Sequence, residues 1–224
     1  MLYPAGIIFF LISTLVSLTF RSRITTYFRT RLQADLSGAE VATKMLQAYG
    51  IHDVKVTSTK GQLTDHYNPL NKIVNLSAEV YRGRNAAAAA IAAHECGHAV
   101  QHAKGYIFLR LRSAMVPALS ATSRWMPWII LLGIFAVNTT PIPLEIGIAL
   151  FSLTTLFTFI TLPVEFDASR RALAWIDDQR IVTNQERRMA KDALWWAAMT
   201  YVVAALGSLA ELLHLISILQ RRRS

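Results

Sequence analysis

A single cysteine, Cys96, stands in the whole chain, so an intrachain disulfide framework is ruled out. Charge is scarce as well. Only 17% of the residues are Asp, Glu, Lys or Arg, where a soluble domain usually carries about 25%. Acid is the scarcer sign, with 14 acidic against 23 basic side chains and a formal net charge of +9. Collagen-like and low-complexity character are excluded by composition, and a hydrophobic share of 53% excludes intrinsic disorder. The length of 224 residues allows one catalytic domain, or a small domain with membrane segments. A membrane protein is the leading class, in keeping with a mean hydropathy of +0.34. The basic excess has two readings: nucleic-acid binding, or cytoplasmic-side charge on a membrane protein. No helix-turn-helix or aromatic nucleic-acid motif supports the first, and no nucleic-acid partner is expected.

The apolar residues fall in four runs. Tyr3–Phe20 is uncharged over 18 residues and is followed at once by Arg21, Arg23, Arg29 and Arg31. A secretory signal would carry its charge first, so this run reads as an uncleaved membrane helix of nearly minimal length. The second run, Met115–Val137, carries only Arg124 and includes Pro117 and Pro127. The third, Ile142–Leu162, carries only Glu145, and the uncharged turn-rich link Asn138–Pro143 makes the two a helical hairpin. The fourth, Ala193–Leu219, ends in Arg221-Arg222-Arg223. Residues 21–124 hold 14 Lys or Arg and residues 163–192 hold six, whereas the hairpin link holds none. The positive-inside rule therefore puts both basic regions on the cytoplasmic face and the N-terminus outside. The fourth run is left open between spanning, lying along the interface and belonging partly to the catalytic domain.

Between the first two runs the sequence is mixed α/β. Ser37–Gly50 carries Glu40 three residues after its serine and ends on glycine, the signature of a capped short helix. Val54–Thr57 alternates like a strand, Asp65–Pro69 reads as a polar loop, and Lys72-Ile73-Val74-Asn75-Leu76 reads as a second strand near a sheet edge. The alanine-rich segment Asn85–Lys104 has high helix propensity.

That segment contains His94-Glu95-Cys96-Gly97-His98, an H-E-x-x-H motif. Residues i and i+4 share a helix face, so both imidazoles reach one metal ion, and Glu95 stands beside the first ligand as a general base. Zinc lowers the pKa of a bound water to roughly 7, and a carboxylate can then take its proton. Two histidines leave the site one protein ligand short. Candidates follow the third apolar run, in Pro163–Arg171: Glu165 and Asp167, with Glu165 slightly favoured by spacing. The bland reading of either is an acid paired with Arg170 or Arg171. An anionic tetrahedral intermediate needs a donor besides the metal, and His66, Tyr67 and Tyr201 are the candidates. His102 continues the i, i+4 series but would close the site, and Cys96 points away from it.

Leu63–Pro69, Val74–Ser77, Ala92–Gln101 and Thr161–Ser169 together resemble the YugP-like neutral zinc metallopeptidases of bacterial membranes. The order of motifs and the membrane layout match as well. A more distant similarity is to the HtpX and prenyl-protein (CAAX) membrane proteases, whose motif is completed by the first glutamate of a Glu-Phe-x-Ala-Asp sequence. The resemblance selects Glu165 as the third ligand. It also implies that position 169 supports a ligand histidine from behind; this chain has Ser169 there instead of aspartate, leaving Asp167 as an alternative support.

The implied fold is an α+β membrane protein: a reduced, gluzincin-like zincin with a small sheet and an active-site helix, plus three to four transmembrane helices. The divisions are 1–20 (membrane helix), 21–114 (cytoplasmic core), 115–162 (membrane hairpin), 163–192 (glutamate-ligand helix) and 193–224 (last apolar helix and basic tail). A substrate is expected to add as an extra strand along Lys72–Leu76. The function implied is a zinc-dependent endopeptidase at the cytoplasmic membrane surface, holding one Zn²⁺, with a peptide or membrane-protein substrate and the lipid bilayer as its partners. The sequence identifies no regulatory membrane partner. The competing reading, a catalytically silent membrane scaffold, would have been free to lose Glu95.

Overall fold

Ser37 and Glu40 close the capping box that their spacing suggests. The Ser37 hydroxyl accepts from Glu40 N at 3.3 Å, and Glu40 accepts from Ser37 N at 2.7 Å. This starts helix α2, Gly38–Ala48, in a computed structural model that describes residues 4–223. Gly50 adopts a φ of +69°, the left-handed turn that ends such a helix without strain. Helix α1, Pro4–Phe28, precedes it; Tyr3, where the first apolar run begins, lies outside the described residues.

Three strands follow: β1 (Lys55–Thr59), β2 (His66–Asn68) and β3 (Ile73–Ser77). Their order is β1-β3-β2, with β3 parallel to β1 and antiparallel to β2. Two expectations are corrected here. Lys72–Leu76 does not lie at an edge, because β3 is the central strand. The segment Asp65–Pro69 is not all loop, because its middle three residues form β2. Val74 and Leu76 are completely buried, as suits a central strand. The edges are β1 and β2.

A short helix α3, Ala78–Arg82, leads to α4, Ala86–Ala103. Asn85 caps α4 by accepting from Ala88 N at 2.9 Å. Alanines 86–90, 92 and 93 are buried, and their thin side chains let α4 pack against α2 and the sheet in one core with Val41, Met45, Val74 and Leu76.

The remaining helices are α5 (Ile107–Ser123), α6 (Met126–Ala136), α7 (Ile142–Asp178) and α8 (Asn184–Arg223). Among the described residues three stretches are long and apolar enough to cross a membrane: Gly6–Phe28, Ile142–Asp178 and Asn184–Arg221. A fourth is reached if α5 and α6, bent by 57° at their break, form one span. The second apolar run is therefore two helices, broken at Arg124-Trp125. The third run does not stop at Leu162, since α7 continues through Pro163 to Asp178. Proline inside a helix is tolerated in membrane segments, where neighbours satisfy the freed carbonyl.

By internal contacts the chain divides into two units. One comprises residues 1–15, 110–162 and 200–224; at Gly133 it packs so closely that a Cβ would lie 2.6 Å from Leu144 Cα. The other comprises residues 16–109 and 163–199 and contains the sheet, α4 and the C-terminal part of α7. In that unit Tyr27 donates to Asp192 at 2.6 Å, and Gln33 N donates to Glu186 at 2.6 Å, which ties the start of α8 to the chain after α1.

Candidate metal centre

The i, i+4 spacing on α4 sets the His94 and His98 rings edge to face, with centroids 4.8 Å apart. Glu165 of α7 points into the same space. Its Oε2 lies 3.2 Å from His94 Nε2 and 3.7 Å from His98 Nε2. One donor atom from each of the three falls within 4.8 Å of the others, in the one such group found among the described residues. Glu165 is only 3% exposed. A carboxylate this buried demands compensation, and two imidazole nitrogens face it, between which a cation could be held. The donor set, two histidines and one carboxylate with room for a further ligand, fits a catalytic zinc site.

The approach of α7 to α4 depends on Gly97. A Cβ there would stand 2.6 Å from the Ala168 carbonyl oxygen, so only glycine lets the two backbones meet. Ala168 is itself fully buried. This contact sets Glu165 and Ser169, one turn apart on α7, against the two histidines.

Both histidines are held from behind. Ser169 Oγ lies 3.1 Å from His94 Nδ1. Gln101 Oε1 lies 3.0 Å from His98 Nδ1. Asp167 reaches neither histidine. It accepts from Gln101 Nε2 at 2.9 Å and from Arg171 Nε at 2.6 Å, and it is also paired with Arg170. The arginine-paired reading of this acid therefore holds for Asp167, and Gln101 is the supporting residue that sequence reasoning did not single out. Its position one turn past His98, in the last stretch of a helix that is otherwise alanine-rich, was the available signal.

Burial disfavours a charge on His98, but the Glu165 carboxylate and, further off, Glu95 overcome this and raise its pKa. Cys96 is buried on the other side, with its thiol directed at the Ala42 carbonyl oxygen at 3.5 Å; burial and the nearby Glu95 push its pKa up.

Glu95 accepts from Tyr67 N at 3.0 Å. The edge strand β2 thus holds the candidate base through its backbone. Strand alternation splits the other two expected donors in this region. Tyr67 pairs with buried Val74 and shares its face, whereas His66 pairs with Asn75 on the opposite face. His66 is engaged there by Asn75 Nδ2 at 3.1 Å and by the Thr64 carbonyl at 2.8 Å. It is therefore turned away from the face that α4 covers. The Tyr67 hydroxyl lies 2.8 Å from His102 Nδ1, and burial together with nearby Asp53 pushes its pKa up to about 12. Tyr201 lies on α8 in the other unit of the chain. Of His66 and Tyr67, the structure brings only Tyr67 to the sheet face that bears α4.

Helices of membrane-spanning length, joined to a helix whose two histidines meet a glutamate from a later helix, define a membrane-type metal-site protein. Residues 2–220 match the profile of the family described as "Putative neutral zinc metallopeptidase", and the chain belongs to that family. Over 198 residues it is 40% identical to a protein named "Putative membrane protease YugP" from Bacillus subtilis (strain 168), an alignment covering 88% of this chain and 87% of the relative. No solved structure matches the chain.

Proposed function

We propose that the chain is an integral-membrane zinc-dependent endopeptidase of the bacterial plasma membrane, working on peptide or membrane-protein substrates at the cytoplasmic surface. The observation that carries this reading is the convergence of His94, His98 and Glu165 donor atoms within 4.8 Å. A zinc ion bound by these three would act as a Lewis acid and lower the pKa of a water in its open position.

The chain's own residues do the rest. Glu95 takes a proton from the attacking water and passes it to the leaving amine, with Oε2 held by the Tyr67 N–H. Strand β2, rather than β3, is the edge beside Glu95, so a substrate segment adds along β2 and reads its backbone there. Tyr67 is the candidate to donate to the developing oxyanion, and to do so its hydroxyl must leave His102. The cytoplasmic assignment rests on the basic residues of 21–124 and 163–192.

The test is Glu95→Gln in purified protein with a protein substrate. The variant keeps zinc and fold, and its cleavage rate falls about 10²–10⁴-fold as general-base catalysis is removed. Cleavage at the wild-type rate would remove Glu95 from the mechanism.

A further inference from the structure

We propose that the groove between the C-terminal part of α7 and the N-terminal part of α8 binds one anionic phospholipid, with its phosphate against Arg170 and Lys191 and an acyl chain over Phe166 and Trp195.

Phe166, Arg170, Leu173 and Asp177 recur every three or four residues and so share one face of α7. Arg187, Lys191, Leu194 and Ala198 do the same on α8. The two faces line a groove of about 470 Å³, within the range of about 300–1,000 Å³ usual for ligand sites. The helices run antiparallel along it. Phe166 meets Trp195 with ring centroids 6.5 Å apart, and Asp177 Oδ1 lies 2.8 Å from Arg187 Nε. Polarity is therefore graded along the groove. One end is aromatic, Arg170 and Lys191 flank the middle, and an ion pair closes the far end.

The charges do not balance within the groove. Asp177 neutralises Arg187, but Arg170 and Arg171 share a single carboxylate, Asp167, so one positive charge is left over. Lys191 pairs with no acid among the described residues. The Arg170 side chain is 77% exposed and can reach a ligand from where it stands.

The order of these groups matches a lipid in its leaflet. Phe166 stands just past the apolar run 142–162 of α7, and Trp195 and Ala198 stand at the start of the run 193–219 of α8. Both helices are long and apolar enough to cross a membrane. Arg170 and Lys191 lie one helical turn further from the apolar runs. Tryptophan favours the membrane–water interface, and the guanidinium fork suits a phosphate. Free phosphate would leave the half-exposed Trp195 uncovered, an apolar peptide would leave the two cations unanswered, and a zwitterionic lipid brings a cation of its own. An anionic phospholipid answers both ends. Ser169 also lines the groove and contacts His94, so the bound lipid lies against the back of the candidate metal centre.

The inference rests on the membrane reading of α7 and α8 and is independent of the metal. The experiment places the full-length protein in phosphatidylcholine vesicles and adds phosphatidylglycerol or phosphatidylcholine with brominated acyl chains, which quench tryptophan on contact. In the wild type phosphatidylglycerol quenches at a lower mole fraction than phosphatidylcholine. That preference disappears in Trp195→Phe, which removes the reporter in the groove. It falls about fivefold in Lys191→Gln, the worth of one cation near an anionic lipid. Ala174 is exposed and lines the groove, so Ala174→Phe fills the space without touching a charge, and the preference is lost.

Equal quenching by the two lipids in the wild type overturns the proposal, whether or not any variant folds. A preference unchanged in Lys191→Gln and Ala174→Phe also overturns it, because attraction would then come from the basic face at large. Loss of the preference on adding inorganic phosphate at constant ionic strength assigns the cations to free phosphate instead. Absence of quenching by either lipid removes the membrane reading and the proposal with it.

Discussion

Gly97 and Ala168 meet backbone to backbone, so closely that a Cβ on Gly97 would lie 2.6 Å from the Ala168 carbonyl oxygen. The glycine sits inside the H-E-x-x-H motif and the alanine between Glu165 and Ser169. The contact is thus the joint that lets one helix present two histidines and another present the glutamate. Gly97→Ala is expected to force α4 and α7 apart. Overpacking of this kind costs about 1–3 kcal/mol, and zinc affinity should fall with it because Glu165 is displaced. Thermal unfolding and a zinc titration of Gly97→Ala check both. Wild-type values in each would show that the helices can adjust.

Asp65 provides a pH prediction. Its Oδ1 accepts from Ser77 N at 2.7 Å, while Oδ2 is buried with no hydrogen-bond partner among the described residues. Burial pushes its carboxyl pKa up. A folded pKa above the unfolded one means that the group's contribution is full below the unfolded carboxylate range, about 4. That contribution is lost as pH rises through the raised folded value. Asp65→Asn keeps an acceptor for Ser77 and removes the titration. Near neutral pH the variant should be at least as stable as the wild type, and it should lose less stability between mildly acidic and neutral pH. Melting curves across that range decide it; a variant clearly less stable at neutral pH would contradict the account.

Membrane orientation is open to a cysteine-accessibility scan in intact cells. The native thiol, Cys96, is fully buried and stays silent. Thr139→Cys, between α6 and α7, should label from outside. Lys60→Cys and Gln185→Cys should label only after permeabilisation. External labelling at position 60 would invert the topology.

The parts of the site that come from local spacing were legible in the sequence. His94 and His98 share a helix face because they are one turn apart, and the Ser37–Glu40 box closes as its spacing requires. Spacing favoured Glu165 over Asp167 only slightly and the resemblance selected it, since His94, which it meets, is 71 positions away along the chain. What stayed illegible depends on pairing. Three residues, His66–Asn68, are too few to show strand periodicity, and without them β3 looks like an edge. Proline at position 163 read as a boundary, yet α7 runs through it. Gln101 looked like an ordinary polar residue, because its value lies in two acceptors contributed by α7.

The central claim is that His94, His98 and Glu165 together hold one metal ion. Zinc titration of the purified wild type against His94→Ala/His98→Ala, Glu165→Ala and Asp167→Ala tests it directly. The wild type should bind about one zinc per chain. The double histidine variant and Glu165→Ala should lose tight binding, while Asp167→Ala, acting only through Gln101, should weaken it about 10–100-fold. Full zinc retention in the double variant, or loss in Asp167→Ala with binding spared in Glu165→Ala, would contradict the account.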